Sequence, residues 1–124
     1  MTISQAIERI DSLKQNTYNI DDKIEWLSRL DSMVKRLIID VHEGGEYVSF
    51  NGYTASENLD TELIIPAPFD EAYLLWLESM INYYNGEYDK YNSSILMYQV
   101  AYEKFENYYR RNHMPKSRGA RFIF

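Results

Sequence analysis

The sequence contains no cysteine, which removes disulfide frameworks, thiolate metal sites and cysteine nucleophiles together and fits synthesis in a reducing cytoplasm. No apolar run approaches the roughly 18 residues of a membrane span. The opening MTISQAIERIDSLK also lacks a basic segment followed by a continuous apolar stretch, so neither a membrane helix nor an export signal is expected. Basic residues are scarce: 13 Lys and Arg stand against 19 Asp and Glu, for a net charge of -6. A surface of that sign repels phosphate, so sequence-specific nucleic-acid binding is not expected. Glycine occurs five times, in neither a phosphate-cradling loop nor a G-x-S-x-G elbow, and the Gly-Gly and Asn-Gly pairs read as helix stops and turns.

What is present fits one folded domain. At 124 residues, with 45% hydrophobic and 26% charged residues, the chain is neither disordered in composition nor long enough to favour two cores. Its oddest feature is twelve tyrosines, a side chain with a large apolar body and a polar tip that suits helix packing near a surface and contacts between subunits. The charge is uneven as well. MPKSRGARFIF carries Lys116, Arg118 and Arg121 with no acid, so a basic tail follows a body more acidic than the total suggests.

Helical periodicity dominates. Thr2 and Gln5 have capping-box spacing, and Ile3, Ile7, Ile10 and Leu13 recur at helical intervals, which predicts a first helix over about 3–14. Ile20, Ile24, Leu27, Leu30, Val34, Leu37 or Ile38, and Val41 predict a second over 20–43, with Asp21 and Asp22 in its first turn and Gly44-Gly45 as its stop. Residues 46–66 change character: YVSF and ELII are β-type runs around a turn-rich stretch, so a short β-hairpin or extended excursion is expected, the partner of YVSF being Leu63 to Ile65. Pro66 and Pro68 close it. Phe69, Tyr73, Trp76 or Leu77, Met80 and Tyr84 predict a helix over 69–84. After Asn85-Gly86, a stripe of Tyr88, Tyr91, Ile95, Tyr98, Tyr102, Phe105 and Tyr109 predicts another over 87–113, packed antiparallel on the third. The expected fold is mainly α: a four-helix bundle-like single domain, 1–115, with the excursion between its second and third helices and an extended C-terminal tail, 116–124.

Candidate chemistry is thin. His42-Glu43 invites a metal reading, yet Gly44 and Gly45 follow where an H-E-x-x-H helix needs its second histidine, and His113 lies on a different helix. A cap or surface hydrogen bond near a helix C-terminus is the simpler role for His42. Asp21, Asp22, Glu25, Asp70, Glu71 and Glu78 fall in first turns or opposite the apolar stripes and read as a solvated face rather than an acid-base pair. No catalytic, cofactor-binding or metal set emerges. The tyrosine stripe reads mostly as core, but tyrosine exceeds what a core of this size holds, so Tyr83, Tyr84, Tyr88, Tyr108 and Tyr109 are candidates for a subunit interface.

The blocks DKIEWLSRLDSMVKRLIIDVHEGGE and LIIPAPFDEAYLLWLESMINYYNGEYDKYNSSILMYQVAYEKFENYYRRNHMP closely resemble a family of small head-tail connector (adaptor, head-completion) proteins from phages and prophages of Gram-positive hosts. The resemblance spans about Ile3 to Pro115; WLSRLD, DVHEGGE, PAPFDE, NGEY and NYYRR-H-MP are distinctive together, and none is a catalytic signature. It implies a structural virion protein of the neck, made in the host cytoplasm and without enzymatic activity. Such a subunit self-associates as a ring, a dodecamer on the portal protein, and links the portal to a stopper or tail-completion protein around a DNA channel. It also implies a portal contact through Arg118, Arg121, Phe122, Ile123 and Phe124, and a partner- or channel-facing loop with Tyr47, Phe50 and Tyr53. The alternative expectation is a prophage-encoded binding or regulatory module acting on a host protein. A hydrolase or metalloenzyme built on His42 and Glu43 is the third.

Overall fold

Four helices in sequence order carry the architecture, in a computed structural model that describes residues 1–55 and 57–116. Helix α1, Ile3–Leu13, begins as its sequence dictates: Thr2 accepts from the Gln5 backbone while the Gln5 side chain accepts from the Thr2 backbone. Its face of Ile3, Ala6, Ile7 and Ile10 is buried. Helix α2, Ile20–Val34, is capped by Asn19, whose side chain accepts from the Asp22 N–H, and it buries Ile24, Leu27, Leu30 and Val34. Lys23 is buried too, its ammonium 2.7 Å from Asp11, which joins α2 to α1.

The second helix does not run unchanged to residue 43. Over Lys35–Ile39 the backbone widens into one π turn, with the Asp40 N–H bonded to Lys35 O at 2.9 Å and the Lys35 ammonium paired with the Asp40 carboxylate. A π turn inserts one residue into the helical register. The inward position therefore moves from Val41, which is 48% exposed, to His42, which is 5% exposed. Both Ile38 and Ile39 reach the core, and the chain then turns through Gly44, whose φ of 87° needs a residue without a side chain.

Helix α3, Glu71–Tyr84, starts two residues later than the periodicity predicts, because residues 67–70 form turns after Pro66. It buries Ala72, Tyr73, Leu77 and Ile81. Gly86, at φ 77°, turns the chain into α4, Tyr88–Asn112, and the two helices pack antiparallel. Ser79, Asn82 and Ser94 sit buried between them, joined by hydrogen bonds at 3.1 and 3.2 Å to the Ser94 hydroxyl. At 25 residues, α4 is about 37 Å long. It buries only a narrow strip through Ser94, Tyr98 and Phe105, and exposes Leu96, Met97 and Val100.

The excursion takes the extended form. Among the described residues there is no β-strand, and the bridges are Thr2–Glu62 and His42–Pro115. YVSF does not pair with Leu63 to Ile65. That arm docks instead on the start of α1: the Ile3 and Ser4 N–H groups donate to Thr61 O and Leu59 O, and Leu63 N–H donates to Met1 O. The first N–H groups of a helix lack partners within it, so the excursion satisfies a need a hairpin would have left open. No helix of the described residues is long and apolar enough to cross a membrane.

Candidate functional site

Asp31 organises the face where the excursion crosses α2. Its side chain is fully buried and accepts three hydrogen bonds: from Tyr53 Oη at 2.5 Å, from Tyr73 Oη at 2.6 Å and from the Ile64 N–H at 3.1 Å. The Tyr73 hydroxyl in turn accepts from the Ile65 N–H at 2.6 Å. One carboxylate thus ties α2 to α3 and to both arms of the excursion. Burial raises the Asp31 pKa, and the three donors pull it back without cancelling the rise. The Tyr53 and Tyr73 hydroxyls are held neutral, first by burial and then by the Asp31 charge beside them.

Sequence reasoning missed Asp31. It lies one position after Leu30 on the apolar face, and a single acid on the edge of a stripe looks like the solvated acids around it. The available signal was register: seven residues separate it from Ile24 and four from Leu27, so α2's helical spacing already set it inward.

Beside this clamp an open groove of about 880 Å³ runs between α2, the end of α3 and the start of α4, walled by Tyr53, Trp76, Tyr83, Tyr84 and Tyr91 over Met33 and Met80. The Trp76 indole N–H donates to Trp26 O at 2.7 Å and fixes one wall. The expected interface tyrosines divide between the two ends of the α3–α4 hairpin. Tyr83, Tyr84 and Tyr88 come together, with ring centroids at 5.2 Å for Tyr83–Tyr84 and 6.2 Å for Tyr83–Tyr88. Tyr84 stacks on Trp26 at 5.6 Å and 8°, and Tyr18 packs edge-on against Trp26. Tyr88 is 61% exposed, and Tyr83 and Tyr84 are half-exposed. The result is an exposed aromatic cluster on the rim of the groove.

Tyr108 and Tyr109 lie at the other end, about 30 Å along α4. Tyr108 packs on Phe69 at 4.8 Å. Tyr109 is half-buried, with His113 stacked on it at 3.7 Å and His42 edge-on at 5.3 Å, so it serves packing more than display. His42 is not at the surface: the π turn carries it inward, where Nδ1 donates to Ile38 O at 2.6 Å. Among the described residues no group of three or more His, Cys, Asp and Glu could hold a metal ion.

The excursion residues also part company. Tyr47 is 85% exposed, whereas Phe50 and Tyr53 pack edge to face at 4.9 Å and fold onto α2. Beyond α4, the Glu43 N–H donates to Met114 O at 2.7 Å and the Lys116 N–H to Val41 O at 3.0 Å. The root of the basic tail is therefore fastened to the end of the second helical segment. Arg118, Arg121, Phe122, Ile123 and Phe124 lie outside the described residues.

No protein-family model matches the chain, and neither a curated protein nor a solved structure matches it.

Proposed function

We propose that the chain is a non-catalytic structural subunit of a phage or prophage particle, a head-tail connector that self-associates as a ring on the portal protein and joins it to a stopper or tail-completion protein around a DNA channel. The observation that carries this reading is the exposed cluster of Tyr83, Tyr84 and Tyr88 at the rim of an open aromatic groove. Aromatic surface left uncovered on a rigid hairpin favours protein contact. Three further features support it. The root of the basic, apolar tail is fixed at the opposite end of the hairpin, which separates a lateral contact from an axial one. The net charge of -6 suits a channel wall that must let DNA pass without holding it. The resemblance of the sequence blocks quoted above to connector proteins is what directs the reading to a phage particle.

Affinity capture with the tagged full-length protein from cells producing the particle tests this reading. Recovery of portal and stopper proteins is expected. Recovery of host factors alone would replace it with that of a prophage-encoded module acting on a host protein.

A further inference from the structure

Residues 49–53 cross α2 as a strap between two open grooves. One groove, about 480 Å³, is lined by Lys35, Arg36, Leu37 and Asp40 together with Phe50 and Gly52. The other is the aromatic groove closed on this side by Tyr53. Ser32 and Met33 line both. Phe50 and Gly52 line the first groove and Tyr53 the second, so the strap lies along their boundary.

Beyond the packing of Tyr53 against the core and on Phe50, its hydrogen-bonded attachment is slight. Among the described residues, 49–53 make no backbone–backbone hydrogen bond, and Ser49 and Asn51 are exposed. Two bonds fasten it: the Tyr53 N–H donates to Ser28 Oγ at 3.0 Å and the Tyr53 hydroxyl donates to Asp31. Gly52 makes the crossing possible, since its φ of 96° suits glycine. The rest of the excursion is fixed independently, by the backbone bonds of residues 59, 61 and 63 to the start of α1.

We infer that the Phe50–Tyr53 strap is a releasable latch, closed by Tyr53 on Asp31 and Ser28, whose opening joins the two grooves into one trough along α2 and the π turn from Glu25 to Asp40. Such a trough is about 22 Å long at 1.5 Å per residue. Release costs the Tyr53 ring its packing against the core and two hydrogen bonds, but it does not leave Asp31 without partners. When Tyr53 leaves, Asp31 keeps the Tyr73 hydroxyl and the Ile64 N–H and gains water in place of the third donor. Closure shields a carboxylate that burial disfavours, so the closed strap works against part of its own hydrogen-bond gain. The latch does not depend on the connector reading, since it follows from the two grooves and the two fastenings.

Two measurements on the full-length chain test it. Tyr53→Phe removes only the hydroxyl, and hydrogen exchange of the Tyr53 amide, which donates to Ser28 Oγ, is expected to rise about tenfold, the scale of one hydrogen bond, while amides of α2 from 27 to 34 stay unchanged. Because the chain has no cysteine, Met33→Cys supplies a single label at the boundary of the two grooves, and its rate of reaction with a maleimide should rise when Tyr53→Phe is added. Unchanged exchange and labelling would overturn the latch. An equal rise across α2 would overturn it too, because it would make Tyr53 a general structural support.

Discussion

The Tyr73 hydroxyl donates to Asp31 Oδ1 at 2.6 Å across 42 positions of sequence, and the Tyr73 hydroxyl oxygen accepts from the Ile65 N–H. Tyr73 is thereby the bridge through which a buried charge on α2 reaches the backbone of the excursion. Removing either partner strands the other.

Asp31→Ala leaves the Tyr73 hydroxyl and the Ile64 N–H without their acceptor, and each buried orphan costs about 1–3 kcal/mol. A loss of roughly 3 kcal/mol in unfolding free energy is expected by urea titration. Asp31→Asn removes the buried charge and keeps one acceptor oxygen for Tyr53 and Ile64 while turning an amide toward Tyr73, so it should cost less than Asp31→Ala.

The pH dependence separates these terms. The folded pKa of Asp31 is raised above an unfolded value near ~3.9, so the folded state holds the proton more tightly. The resulting stability is fully present below the unfolded pKa and is lost as pH rises through the folded one. Wild type should therefore lose stability relative to Asp31→Asn as pH is raised from about 4, until the carboxyl is fully ionised. Urea titrations of both proteins across that range check it; a difference that does not change with pH would contradict the burial of the charge.

Among the exposed tyrosines, stability and assembly should respond separately. Tyr88→Ser is expected to cost less than about 0.5 kcal/mol, as a surface substitution, whereas Tyr84→Ala loses its stacking on Trp26 and about 1 kcal/mol. The pair Tyr83→Ser and Tyr88→Ser should leave the far-ultraviolet circular dichroism unchanged and abolish ring formation. Sedimentation velocity in the presence of portal reads the second effect.

Truncation after Lys116 keeps both bonds that fasten the tail root to Val41 and Glu43. Thermal unfolding of that variant should match wild type within about 2 °C, a shift well under 1 kcal/mol for a domain of this size, while portal binding is lost. Retained binding would remove Arg118 to Phe124 from the contact.

Much of the helical framework was legible in the sequence because it rests on local signals: the Thr2–Gln5 capping box, the stripe on α4 and the Asn85-Gly86 turn each speak through neighbouring residues. The π turn at Lys35–Ile39 was not, since widening by one residue is decided by how Ile38 and Ile39 both fit the core, and the shift from Val41 to His42 follows from it. The path of the excursion was hidden for a similar reason, as its arm pairs with residues about sixty positions away at the start of α1. At the candidate site, the tyrosines of the α3–α4 turn were visible by composition and spacing, whereas Asp31 was marked only by its register with Ile24 and Leu27, its partners Tyr53 and Tyr73 lying 22 and 42 positions away.

Electron microscopy of the full-length protein with and without its portal tests the connector reading most directly. Rings of this chain stacked on the portal, lost in the Tyr83→Ser and Tyr88→Ser pair, are the predicted result. A portal that remains bare at saturating concentrations of the folded protein would contradict it.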